Sequence, residues 1–187
     1  MRLIPILAAG VAVAAVLGAA GSARASVTVI GNGMAGDCST AALHGKSDNE
    51  SIRMCSEALE DEALNARDRA GTFINRGVMH LRRLAFDAAR ADFNVAIQLD
   101  PKIGEGWVNR GAVAIAQKRY QDGLSDINKG LELGVEEPEK AYYNRALAYE
   151  GLENAKAAYL DYQQAVTLKP DWILPQQQLL RFTVTRR

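Results

Sequence analysis

From residue 70 to residue 170 apolar side chains recur every three or four positions, the spacing of one face of a helix. Ala89, Phe93, Ala96 and Ile97 stand at i, i+4, i+7 and i+8 and trace one such stripe. The stripes are interrupted at Leu84-Ala85, Lys118-Arg119 and Glu153-Asn154. Phe86 and Tyr120 restart them, with Ala155 a weaker third member. The pattern predicts helix pairs, each helix about 12–14 residues long, joined by tight turns. One such pair cannot bury its apolar face alone, so the pairs must stack.

The pairs repeat. Phe73-Ile74-Asn75-Arg76-Gly77 returns as Trp107-Val108-Asn109-Arg110-Gly111 and as Tyr142-Tyr143-Asn144-Arg145-Ala146, at intervals of 34 and 35 residues. Small residues form two columns downstream, Ala89, Gly123, Ala158 and Ala96, Gly130, Ala165. Between them stand the large residues Phe93, Ile127 and Tyr162, expected to fill the gap toward the next unit. Pro101 and Pro170 close the first and third units, and Val135 replaces proline in the second. Trp107 is expected in the core between units.

This pattern resembles the tetratricopeptide repeat family across about residues 70–170. It departs from that family in the column Arg76, Arg110, Arg145, where leucine is usual, and at His80 and Ala114, where an aromatic is common. The resemblance implies an all-α solenoid of three helix-turn-helix repeats, at 70–103, 104–138 and 139–172. An N-terminal helical cap would fill residues 26–69, and a capping helix with a tail would fill 171–187. It also implies a protein or peptide partner, because such repeats often hold extended segments along an asparagine ladder.

The flanks follow from local signals. Arg2, an apolar run from Leu3 to about Ala20 and the small-residue pair Ala23-x-Ala25 make residues 1–25 a cleavable signal, with Ser26 as the new N-terminus. The expected home is periplasmic or secreted, with no membrane span left after cleavage. In an oxidising compartment Cys38 and Cys55, the only two cysteines, are expected to form a disulfide contributing about 3 kcal/mol. A reactive thiol, assisted by His44, is the alternative. Ser47-Asp48-Asn49-Glu50 reads as a capping box opening a helix from about Asp48 to Glu60. Ala35–His44 reads as irregular, and Asn65-Ala66 starts a longer first repeat helix. Asp171 is expected to cap the last helix, with Pro175 in its first turn. Phe182–Thr185 and Val27–Val29 alternate like strands, and their pairing is conceivable.

Charge and candidate chemistry narrow the function. Lys plus Arg equal Asp plus Glu at 22 each, which gives no basic footprint for nucleic acid. Two histidines and two cysteines leave little for a metal centre or a catalytic triad, and no cofactor is expected. Gly31-x-Gly33-x-x-Gly36 opens no helix of a βαβ unit, so it is no dinucleotide motif. Asn75, Asn109 and Asn144 occur once per unit, and a carboxamide both donates and accepts. They are the expected ladder, binding a guest backbone or else bonding neighbouring helices. Ile74, Val78, Val108, Ala112, Tyr143 and Leu147 are expected to line the groove, with Arg82 and Lys140 as the cations beside it. The arginine column is expected to bridge units through carboxylates or carbonyls. The reading is a non-catalytic adaptor or scaffold. An enzyme using Cys38, Cys55 or His44, and a self-assembling homo-oligomer, are the alternatives.

Overall fold

The computed structural model describes residues 2–5, 25–29 and 33–185. Most of the expected signal, Gly31 and the Arg186-Arg187 tail lie outside the described residues. Nine helices follow in order among them: α1 (Met34–Leu43), α2 (Asn49–Asp61), α3 (Ala66–Arg82), α4 (Phe86–Leu99), α5 (Gly104–Ala116), α6 (Tyr120–Leu133), α7 (Pro138–Gly151), α8 (Ala155–Leu168) and α9 (Ile173–Leu179). The pairs α3/α4, α5/α6 and α7/α8 are the three repeats, and each second helix packs on the first helix of the next unit. Adjacent units also touch through their first helices, α3 with α5 and α5 with α7, which sets the first helices on the inside of the curve. None of the described helices is long and apolar enough to cross a membrane.

The turn inside each repeat has a sharp local cause. Leu84, Lys118 and Glu153 take positive φ of 60°, 60° and 58°. The amide two residues past each helix cap reaches back to a carbonyl in the last turn: Ala85 to His80 (3.0 Å), Arg119 to Ala114 (2.8 Å) and Asn154 to Tyr149 (2.8 Å). The positive-φ residue itself bonds one carbonyl further on, as Leu84 does to Leu81 (3.0 Å). This is the Schellman arrangement, which normally recruits glycine. Gly45 fills the same place after α1, at φ 80°.

Close approach within the first two pairs depends on the glycine that ends the repeated five-residue motif. A Cβ at Gly77 would lie 2.6 Å from Cε1 of Phe93, and one at Gly111 would lie 2.8 Å from Ile127. The large residues therefore seat against the small residue of their own unit, rather than only toward the next one. Val108, Ile115, Ile127, Tyr143 and Tyr162 centre one core cluster, and Ile74, Val78, Phe93 and Val113 centre another.

The arginine column binds the repeats together. Arg76, Arg110 and Arg145 each form a two-pronged bond with an aspartate on the second helix of their own unit. Arg76 holds Asp92 at 2.9 and 2.7 Å, Arg110 holds Asp126 at 2.7 and 2.7 Å, and Arg145 holds Asp161 at 2.7 and 2.8 Å. The remaining guanidinium nitrogen crosses to the preceding unit, to Ser56 (3.0 Å), Asn94 (3.0 Å) and Asn128 (2.8 Å). Each guanidinium also lies over the aromatic three residues earlier, with Trp107 at 4.7 Å from its ring centre. Trp107 is accordingly half-buried beneath Arg110, with its indole N–H donating to the Pro101 carbonyl at 3.1 Å, not sunk in the core.

The N-terminal flank is a fourth helical hairpin. Ala35–His44, expected to be irregular, lies largely within helix α1, whose first amides, at Met34 and Ala35, donate to the Glu62 carboxylate (2.5 and 3.2 Å). A negative charge at a helix start satisfies orphan donors and the helix dipole together. Cys38 and Cys55 join α1 to α2, with an S–S distance of 2.09 Å. The α2 cap is Asp48, whose side chain accepts from the Ser51 amide, and not Ser47. Helix α3 runs to 17 residues, capped by Asn65.

At the other end Trp172, not Asp171, precedes α9, and Pro175 lies in its first turn. Phe182–Thr185 pairs antiparallel with Arg2–Pro5, so its partner is not Val27–Val29.

Two outcomes test these local causes. Glu153→Gly is expected to raise unfolding free energy by about 0.5–1 kcal/mol in urea titration, since glycine relieves the left-handed backbone at an exposed site. Asp126→Ala is expected to cost roughly 2 kcal/mol by stranding the half-buried Arg110, and much less when made together with Arg110→Ala.

Candidate functional site

Along α3 the positions Gly71, Asn75, Val78 and Arg82 share one face, spaced at four, three and four residues. The corresponding faces carry Glu105, Asn109 and Ala112 on α5, and Lys140, Asn144 and Leu147 on α7. The three carboxamides are almost fully enclosed, at 0%, 0% and 2% exposure for Asn75, Asn109 and Asn144. What encloses the first two is an extended stretch of the same chain, residues 25–29.

The contacts are to its backbone. Asn75 accepts from the Val27 amide through Oδ1 (3.0 Å) and donates to the Val27 carbonyl through Nδ2 (2.8 Å). Asn109 donates through Nδ2 to the Ala25 carbonyl at 2.7 Å. From α1, Ser39 Oγ donates to the Val27 carbonyl (2.9 Å) and accepts from the Val29 amide (3.2 Å). The segment is thus held between α1 on one side and α3 and α5 on the other. Alternate residues meet successive repeats, as the period of two in an extended chain requires. Ser26 is 5% exposed and Thr28 faces out.

Gly71 lies tightly beneath the strand. A Cβ at Gly71 would stand 3.1 Å from a methyl of Val27 and from one of Val29. Val27 completes the cluster containing Ala70, Ile74, Val78 and Ala112. The fit at the second repeat is incomplete, because Oδ1 of Asn109 is buried with no hydrogen-bond partner.

Several residues expected to line the groove belong to the interior instead. Ile74 packs toward Gly106, and Val108 toward Gly130. Tyr143 lies 5.5 Å from the Tyr162 ring and 5.0 Å from Trp172, and burial pushes its hydroxyl up to about 12. Leu147 sits in that same cluster. These positions neighbour the asparagines in sequence or lie one turn away, and their large apolar side chains are drawn into the helix–helix seam.

The expected cations are tied elsewhere. Arg82, whose guanidinium burial holds below its ordinary value, donates to the Lys46 carbonyl at 3.1 Å. Lys140 pairs with Glu137 at 2.5 Å. Glu105 accepts from the Glu136 amide at 2.9 Å, which fixes the start of the next unit.

Among the described residues, the candidate reactive groups Cys38, Cys55 and His44 are each held in a structural contact. Cys38 and Cys55 are fully buried in their disulfide, with Cys55 against Met79 (3.8 Å between sulfurs). His44 bonds the Thr40 carbonyl through Nδ1 (2.8 Å) at the end of its own helix. His80 stands 3.9 Å from the Asp92 carboxylate. Burial holds its ring below the ordinary histidine value, against the pull of that charge.

An all-helical solenoid with paired helices and an asparagine-lined inner side is the tetratricopeptide-repeat fold. Residues 139–171 match the family model described as tetratricopeptide repeat. Mouse sperm-associated antigen 1 is 31% identical over 115 residues, covering 57% of this chain and 13% of its own length. Human tetratricopeptide repeat protein 16 is 29% identical over 147 residues, covering 72% of this chain and 16% of its own. The chain therefore spans a small part of each of these relatives. Among solved structures, MamA 41-end from Desulfovibrio magneticus RS-1 superposes with a TM-score of 0.60 at 23% identity, covering 81% of this chain and 84% of that one. The Arabidopsis OM64 TPR domain superposes at 0.58 and 22% identity, covering 62% and 95%. These likenesses support a tetratricopeptide-repeat fold for this chain.

Asn75→Ala removes both bonds to Val27. Hydrogen exchange at the Val27 amide is expected to quicken about 30-fold, while amides in the middle of α3 keep their protection. Unchanged exchange at Val27 would mean that Asn75 does not hold the strand.

Proposed function

We propose that this chain is a non-catalytic adaptor of the bacterial cell envelope, exported by a cleavable signal and binding an extended protein segment along Asn75, Asn109 and Asn144. One observation carries the reading. The Asn75 carboxamide takes both the N–H and the C=O of one residue in an extended backbone, Val27. That is the chemistry an adaptor needs to hold a polypeptide without reading its side chains, and it is in use on the inner face of the fold.

The sequence supports the export half of the proposal through the Arg2 n-region, the apolar run and Ala23-x-Ala25. The disulfide suits an oxidising compartment. Binding through amides plus shallow apolar contact gives tolerance in sequence and dependence on an extended conformation.

The test places a photo-crosslinking residue at Thr28, which faces out beside the ladder, and irradiates the native compartment. Adducts with a partner are expected, and they are expected to be lost when Asn109→Ala and Asn144→Ala are added. Adducts that persist unchanged in that double variant would overturn the groove as the binding site.

A further inference from the structure

The strand in the groove is also the segment that the expected signal cleavage cuts. Ala25 is the residue whose carbonyl Asn109 holds, and Ala23-x-Ala25 ends there. Resting on the groove reading above, we propose that residues 25–29 are an occluding strand and that cleavage between Ala25 and Ser26 opens the Asn109 end of the groove to a guest.

Three observations lead there. The docked strand spends the same backbone groups on Asn75 and Asn109 that a guest would offer. Its hold is uneven: Val27 bonds both the oxygen and the nitrogen of the Asn75 amide, whereas the Asn109 oxygen stays buried and unbonded. A guest that presents both a C=O and an N–H at Asn109 therefore binds there better than the resident chain does. Finally, the bond to be cut joins two enclosed residues, Ala25 at 1% and Ser26 at 5% exposure. A peptidase cannot reach it in the docked state, so processing acts on the undocked strand, and the chain that docks afterwards begins at Ser26 and leaves Asn109 open.

Cleavage is a hydrolysis. Water supplies the oxygen that makes Ala25 a carboxylate on the departing signal, and Ser26 retains its nitrogen as an ammonium. The Ala25 carbonyl departs with that product and is lost to Asn109. Residues 26–29 keep the grip of Asn75 and Ser39, so the first repeat stays filled while the second is freed. The ligand class is an extended peptide that advances about two residues per repeat, entering from the second repeat onward.

The experiment uses a fluorescein-labelled synthetic peptide of the sequence Ala23–Val29 as its probe. Fluorescence anisotropy compares the exported, processed protein with the full chain kept uncut by Ala23→Glu and folded under oxidising conditions. Mass spectrometry of the exported protein is expected to show Ser26 first, and any other start overturns the role given to processing. The processed chain is expected to bind at least about 10-fold tighter, because occlusion lowers the competent fraction. In the uncut chain, Ser39→Ala and Val27→Pro each loosen the strand, and each is expected to restore binding several-fold. That recovery also shows that the uncut chain is folded. Equal affinity for cut and uncut chains, with Asn109→Ala still weakening both, would overturn occlusion and leave the groove intact. Probe binding to the cut chain that ignores Asn109→Ala would overturn both.

Discussion

The structure depends on one clasp made three times. An arginine on the first helix of each repeat takes both oxygens of an aspartate sixteen residues on, reaches a polar side chain of the preceding unit and lies across an aromatic ring. The fork of donors matches a carboxylate in two directions at once, which fixes the rotation of one helix about the other. In Arg110 the bond to Asp126 outweighs burial and holds the guanidinium above its ordinary value. Each repeat thus has a charged joint between its two helices, and each arginine has its own aspartate, Asp92, Asp126 and Asp161 in turn.

With the hairpins oriented by those joints, the inner face becomes a consequence rather than a separate design. The asparagine lies one residue before the arginine, about 100° round the helix. Pointing the arginine at its aspartate leaves the carboxamide on the inner side. Gly71 then leaves room for the Val27 and Val29 side chains, and Ser39 closes the opposite wall. The groove is a polar slot sized for a main chain.

Much of this was legible in the chain. The 34- and 35-residue spacing, the breaks at Leu84, Lys118 and Glu153 and the column of small residues give the hairpins and their stacking, because each reports a local steric or packing demand. The asparagine row was visible for the same reason. The lining residues were not, since Ile74, Val108 and Tyr143 stand beside the ladder in sequence but turn into the seam between helices. Nor was the occupant. Val27-Thr28-Val29 announces an extended strand, yet its partners are side chains 48 and 84 residues distant from the residues they bind, and no periodicity carries that information. The α1 helix was hidden because its glycine and short polar residues are weak helix formers and its capping carboxylate comes from Glu62.

The disulfide has a consequence for timing. Ser39 follows Cys38 directly, so the sulfur bridge that fastens α1 to α2 also sets the hydroxyl that closes over Val27. In a reducing cytosol that bridge does not form, and the wall it positions is tethered only by packing. Oxidation of the two thiols therefore supplies the covalent latch on the slot's second side, and the slot is walled on both sides only once the bridge has formed.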